Sequence, residues 1–249
     1  MDRFDFFAPL GRARPSGVPF TSSYLTPLEL NRYSVVAELG CGYGIRSAWL
    51  ARSRCCKVFA FDEDQRSLDY TYHRAEESGA HELIELREGN LREPDLPPKS
   101  LDLIISERGT FSLGIAEAIE RWRPFIKPGG HLALCYPGLV DNRGTEESEL
   151  TELIEPLKQW VGGSLGGLSN YHELISESGL RLVHQAQLSP RLWDTFYKDF
   201  ARHLRALRKS GTLTAESPLY QELIAELEWY QGWARGRVFL QAFLLRVPD

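Results

Sequence analysis

The sequence predicts a mostly parallel, doubly wound α/β sheet, and three observations carry that expectation. From Ser34 onward, short runs rich in β-branched and aromatic residues alternate with segments of helical period. Each segment between successive runs can hold the helix that a parallel crossover requires. The first apolar run ends in a glycine-rich turn that opens a helix, Val35-Val36-Ala37-Glu38-Leu39-Gly40-Cys41-Gly42-Tyr43-Gly44.

Residues 1–33 have weak periodicity. Pro15, Gly17 and Pro19 punctuate a loop before a short helix expected around Pro27–Arg32, so this part reads as a lead-in segment. Strands are expected at Ser34–Glu38, Lys57–Phe61, Leu83–Arg87, Leu101–Ser106 and His131–Tyr136, with helices at Gly44–Ser53, Gln65–Ser78 and Ile115–Phe125 between them. Lys127-Pro128-Gly129-Gly130 ends the last of these helices, because proline and glycine do not continue one. The acidic run Asp141–Glu149 can begin a helix reaching Trp160, and reads as a solvated face. Gly162–Gly167 reads as a hinge. A helix capped by Asn170, with Glu173 three residues on, stops at Gly179. Strands are then expected at Leu180–Leu188 and Val238–Arg246, and two helical patterns, Trp193–Ser210 and Pro218–Gln231, lie between them. Residues 34–249 thus read as one domain, with 189–237 inserted as a helical cap before the final strand.

Composition narrows the function classes. With 249 residues, 43% of them hydrophobic, the chain can bury the core of one sizeable domain. A net charge of −5 without a basic stripe argues against nucleic acid as a partner. No apolar run approaches the roughly 20 residues of a membrane span, and Met1-Asp2-Arg3-Phe4-Asp5 lacks the pattern of a secretory signal, so a cytoplasmic protein with no membrane partner is expected. Cys41, Cys55, Cys56 and Cys135 form no CxxC pair, and the six histidines are scattered, so no metal is expected.

The glycine turn brings backbone close to a ligand at the carboxyl edge of the sheet. A dinucleotide fingerprint would want a third glycine three residues after Gly42, where Ile45 stands. Asp62 ends the second strand about 20 residues past the turn, where an acid accepts hydrogen bonds from ribose hydroxyls. An adenosine-containing ligand follows from the two together.

In motif order from Ser34 to Tyr136 the chain resembles the class I S-adenosylmethionine-dependent methyltransferases. AELGCGYG is similar to their first motif and VFAFD to their second. EGNLREPDLPPKSLDLIISE is similar to their adenine-contacting loop and fourth strand, and RPFIKPGGHLAL to the lead into the fifth strand. The resemblance implies a Rossmann-like sheet of seven strands, the last pair with one antiparallel member. It implies that Gly40, Cys41 and Gly42 line the methionine portion of the cofactor, that Glu38 orients the turn or the ligand's amino group, and that Asp62 binds the ribose. Asn90, where relatives usually carry Asp, falls at the adenine, with Leu91 and Ser106 in the same cofactor-binding stretch. The tail, with RLWDTFY and EWYQGW, resembles uncharacterised small-molecule methyltransferases related to the ubiquinone/menaquinone-biosynthesis type.

Methyl transfer from a sulfonium is an in-line displacement with an activated leaving group, so alignment and desolvation matter more than a catalytic triad. Glu107, after the fourth strand, is the candidate base or cation orienter, with a salt bridge to Arg108 or a neighbour as the competing reading. Arg108, Tyr136, Trp193, Tyr197 and Tyr230 are the candidate acceptor-pocket residues, and helical spacing makes core packing the alternative for the aromatic set. The expected reaction is methylation of a small organic acceptor, leaving S-adenosylhomocysteine. A noncatalytic adenosylmethionine-binding module or regulator is the alternative, and an aminopropyl or hydride transferase on the same fold a third reading. The acceptor atom and the oligomeric state stay open.

Overall fold

The computed structural model describes residues 1–107, 109–140, 154–157, 161 and 165–249. Its seven strands are β1 (Val35–Leu39), β2 (Lys57–Asp62), β3 (Ile84–Glu88), β4 (Leu101–Ser106), β5 (Ile126–Leu139), β6 (Arg181–Gln187) and β7 (Val238–Arg246). They form one sheet in the order β3-β2-β1-β4-β5-β7-β6. The first five pair in parallel, and β7 runs antiparallel to both β5 and β6. This is the doubly wound sheet with one antiparallel member that the sequence pointed to. Chain order reverses direction across the sheet between β1 and β4, and in such sheets the crevice at that place receives ligands.

The helices are α1 (Arg3–Phe7), α2 (Val18–Leu25), α3 (Ile45–Arg54), α4 (Gln65–Ser78), α5 (Gly109–Leu113), α6 (Ile115–Trp122), α7 (Leu168–Glu177), α8 (Pro190–Lys209) and α9 (Pro218–Trp229). Central strands are buried on both faces, which is why β4 reads as a nearly continuous apolar run: Leu101, Leu103, Ile104 and Ile105 have no exposed surface. Helix α4 follows its sequence signals closely. The Asp64 side chain accepts from the Arg66 N–H at its start, and Gly79 ends it in the left-handed conformation.

Four expectations need correction. The helix placed at Pro27–Arg32 is absent, and one forms instead at Val18–Leu25, where Pro19 occupies the first turn and its missing N–H costs nothing. Residues 127–130 do not separate helix from strand. They lie within β5 as an irregularity, with Leu101 opposite Ile126 and Leu103 opposite His131. Gly167, not Asn170, sits at the N-cap of α7, while the Asn170 Oδ1 reaches back to accept from the Gly167 N–H at 3.0 Å. The final helical pattern stops at Trp229 and gives way to a wider turn over Tyr230–Ala234. The acidic run Asp141–Glu149 and half of the expected hinge, residues 162–164, lie outside the described residues.

The first 25 residues are not a peripheral lead. Phe6 and Phe7 of α1 are buried, and Phe6 packs edge-on against Phe200 of α8 at 5.1 Å. Helix α2 contacts α3, β6 and β7. The segment between α1 and α2 is thereby strapped across the carboxyl edge of the sheet, above the turn after β1.

Candidate active site

The turn is shaped by what stands behind it. Gly40 and Gly44 have φ of +83° and +71°, a region costly for residues with a Cβ. A Cβ on Gly40 would lie 3.0 Å from the Gly109 nitrogen, and one on Gly44 2.6 Å from the Thr71 Cα, so the glycines let the turn seat against α4 and against the loop after β4. The N–H groups of Gly40 and Cys41 both donate to the Phe61 carbonyl at 2.9 Å, and that of Gly42 donates to the Asp62 Oδ2 at 2.8 Å. The expected approach of free N–H groups to a ligand is therefore not what these three residues provide. They bind the end of β2 to the end of β1. Cys41 is buried, and burial pushes its thiol well above the ordinary value, which keeps it protonated and unreactive.

Asp62 accepts from Gly42 through Oδ2 and from the Asp64 N–H, at 3.1 Å, through Oδ1. Each carboxylate oxygen can accept a second hydrogen bond, so the group is pinned in orientation while keeping capacity for ribose hydroxyls. Asn90 is exposed, its Oδ1 accepting from the Arg92 N–H at 2.8 Å. The Leu91 N–H donates to the Glu63 carboxylate at 3.1 Å, and the Leu91 side chain lies beneath Gly40. Glu63 was not singled out from the sequence. Its adjacency to Asp62 is the signal that could have found it. Ser106 is fully buried, donating to the Leu39 carbonyl at 2.7 Å and accepting from the Thr110 N–H at 3.1 Å, so it ties β4 to β1.

Behind the turn is a buried cluster of charge. Glu38 has no exposed surface; its carboxylate accepts from Arg46 and, at 2.5 Å, from the Ser47 hydroxyl. Arg46, in the first turn of α3, also pairs with Glu107 at 2.5 Å. The other Glu107 oxygen accepts from the Thr21 and Tyr24 hydroxyls of α2, each at 2.8 Å. Burial raises the Glu38 carboxyl above its usual value, with Arg46 and Ser47 opposing the shift. For Arg46, desolvation works against the charge, but the two carboxylates outweigh it and hold its protonation firmly. The local sum is two negative charges and one positive, a net single negative charge at the carboxyl edge of β1 and β4.

A cavity of about 170 Å³ opens beside this cluster. Gly40, Cys41 and Gly42 form one wall, Arg46 and Glu107 the base, and the strap of residues 11–19 the roof. The structure thus brings together Glu107 and the turn as anticipated, and adds the strap, whose weak periodicity concealed it. Among the other candidates, Tyr136 is buried edge-on against Phe111 and Tyr171 and does not line this cavity. Trp193, Tyr197 and Tyr230 form a stack, with Tyr197 and Tyr230 centroids 3.8 Å apart and Trp193 over Tyr230 at 6.1 Å, also away from the cavity lining. Arg108 lies outside the described residues.

Residues 36–130, from β1 into β5, match a family model described as a methyltransferase domain. That match and the strand order together give the chain the fold of the class I methyltransferases. The match takes in the turn, Asp62, Asn90 and Glu107 and leaves out the strap and the elements after residue 130. Over 176 residues the chain is 24% identical to Methyltransferase GfsG of Streptomyces halstedii, covering 70% of this chain and 62% of that protein. Over 140 residues it is 32% identical to the ribosomal protein arginine N-methyltransferase rmt3 of Schizosaccharomyces pombe, covering 54% of this chain but 25% of that one. The chain therefore spans between a quarter and under two thirds of these relatives. The methyltransferase fold extends over the whole chain. A crystal structure of a SAM-dependent methyltransferase from Geobacter sulfurreducens, in complex with S-adenosyl-L-homocysteine, superposes with a TM-score of 0.81 at 17% identity, covering 100% of this chain and 99% of that one. Among the described residues no helix is long and apolar enough to cross a membrane, and no cluster of side chains could hold a metal ion.

Proposed function

We propose that the protein transfers a methyl group from S-adenosylmethionine to a small organic acceptor held under the N-terminal strap. The observation that carries the donor assignment is the use of the turn's own N–H groups. With Gly40, Cys41 and Gly42 donating to Phe61 and Asp62, these residues do not offer the anion cradle that a dinucleotide's pyrophosphate needs. A ligand whose end at the turn is cationic needs no such cradle, and the Glu107 carboxylate lining the cavity suits a sulfonium or an ammonium. Asp62 would hold the ribose, and Asn90 and Leu91 would border the adenine. When bound, S-adenosylmethionine supplies a methyl group already activated by the sulfonium charge.

The residues of this chain then have three tasks. The strap excludes water from the cavity, which strengthens every electrostatic interaction inside it. Glu107, fixed by Thr21, Tyr24 and Arg46, faces the cavity with its carboxylate held in one orientation. It orients a cationic group or takes a proton from an acceptor that must lose one. The roof over the cavity supports a small acceptor over a protein segment, which needs an open groove.

Calorimetric titration with S-adenosylmethionine, S-adenosylhomocysteine and NADH tests the donor assignment. Micromolar binding of the first two and none of NADH is expected; preference for NADH would overturn it. Turnover of the bound donor on a panel of small acceptors, read as S-adenosylhomocysteine formed, then tests the acceptor assignment. Turnover only with arginine-containing peptides would refute it.

A further inference from the structure

Three arginines line the cavity, and they are not equally compensated. Arg46 pairs with two buried carboxylates. Arg14 donates to the Ala13 carbonyl at 2.7 Å and lies 3.5 Å from Glu226. Arg12, at the centre of the strap, meets a carboxylate only at the outer limit of contact: its Nη2 stands 3.5 Å from the Asp199 Oδ2, while Arg202 engages the other oxygen of Asp199 at 2.6 Å. The Arg12 Nε is buried without a hydrogen-bond partner. The side chain is nonetheless held, for its guanidinium lies over the Phe196 ring at 5.7 Å and is 28% exposed.

A buried N–H without an acceptor is costly, and Arg12 lines the cavity, so a ligand that draws the guanidinium toward itself gains by satisfying that donor. The Nε and Nη edge of a guanidinium presents two parallel donors, the geometry that matches a carboxylate or a phosphate. The Phe196 ring beneath the guanidinium limits its freedom, so less rotamer freedom is lost when an anion arrives. On the proposed reading of this cavity as the acceptor site, we infer that Arg12 is the anchor for an oxyanion of the acceptor, which therefore belongs to the small carboxylates or phosphate esters. Arg12 grips the anionic end from the roof, and the rest of the acceptor lies toward Glu107 and the turn. Specificity then resides in the strap, outside residues 36–130 that match the family model.

The donor's own carboxylate is the rival for this arginine, and the test separates the two. Wild type and Arg12→Gln are titrated calorimetrically with S-adenosylhomocysteine; the complexes with S-adenosylhomocysteine are then titrated with benzoate, phenyl phosphate and neutral benzamide. The inference expects one or both anions to bind the wild-type complex, benzamide not to bind, and Arg12→Gln to weaken the anion at least tenfold while S-adenosylhomocysteine affinity changes by less than about threefold. The better of benzoate and phenyl phosphate tells carboxylate from phosphate. Retained S-adenosylhomocysteine binding also shows that the variant is folded. If neither anion binds, if benzamide binds equally, or if the substitution spares the anion, the inference is overturned. A loss concentrated on S-adenosylhomocysteine overturns it too, by giving Arg12 to the donor. Failure of wild type to bind S-adenosylhomocysteine at all is a different result, and strikes at the donor assignment on which the inference stands.

Discussion

Asp62 shows how one carboxylate can both build a site and serve it. Its two oxygens accept from Gly42 and Asp64, which locks the turn to the end of β2, and each keeps a second lone pair for a ribose hydroxyl. Asp62→Ala is expected to weaken S-adenosylhomocysteine binding by about 1–3 kcal/mol, roughly 5- to 150-fold, measured calorimetrically on a variant whose circular dichroism is native. Gly44 carries a purely steric demand. Gly44→Ala forces a Cβ into the left-handed region and to within 2.6 Å of the Thr71 Cα, so a loss of about 2–4 kcal/mol in stability is expected from chemical denaturation. A loss below about 1 kcal/mol would mean that α4 shifts freely and that the turn is not clamped against it.

These residues were legible in sequence because strand, turn, helix and acid recur at fixed spacing, and spacing survives without coordinates. Glu38 was legible as an acid at a strand end, but not as the partner of Arg46 and Ser47: a contact across a strand and the following helix depends on packing angles that no periodicity records. Ser106 likewise reads as a polar strand end, and only the neighbouring strand discloses that its hydroxyl is spent on Leu39.

At the scale of elements, the strap is the part the sequence concealed. Helix α1 is five residues long and α2 eight, too short for a hydrophobic period to emerge, and neither would be stable in isolation. Their order comes from tertiary burial: Phe6 and Phe7 enter the aromatic cluster of α8, and Thr21 and Tyr24 reach Glu107. The strap should therefore open as a unit when its anchor is cut. Phe6→Ala removes a fully buried ring, at about 3–5 kcal/mol for a large aromatic, and a cost near 3 kcal/mol raises the open fraction of the strap by roughly 100-fold. Limited trypsin digestion should then cut after Arg12 at a correspondingly higher rate, while the core fragment persists. Cleavage at the wild-type rate would show that α2 alone secures the strap. The aromatic stack of Trp193, Tyr197 and Tyr230 belongs to the same scale. Residues four apart on α8 meet a residue just beyond α9, joining the two helices to each other.

Across the whole molecule, one arginine connects α2, the first strand, the helix after the turn and the end of the fourth strand. Arg46 stands between Glu38 and Glu107, and Glu107 reaches Thr21 and Tyr24. Removing one partner of a buried ion cluster leaves charge uncompensated, which costs about 3–5 kcal/mol, more than the pairing itself contributes. Arg46→Met is expected to lose stability in that range at pH 7, measured by urea denaturation. Its pH dependence gives the sharper reading. Burial already raises the Glu38 carboxyl above its unfolded value near 4.5 with Arg46 present to oppose it. Without Arg46 the folded value rises further. A carboxyl raised on folding contributes its stability in full below the unfolded value and loses it as pH rises through the folded one. The deficit of Arg46→Met should therefore shrink as pH falls from 7 toward 4.5. A deficit constant across that window would mean that water reaches Glu38 once the arginine is gone, and that the cluster is held by packing and not by charge.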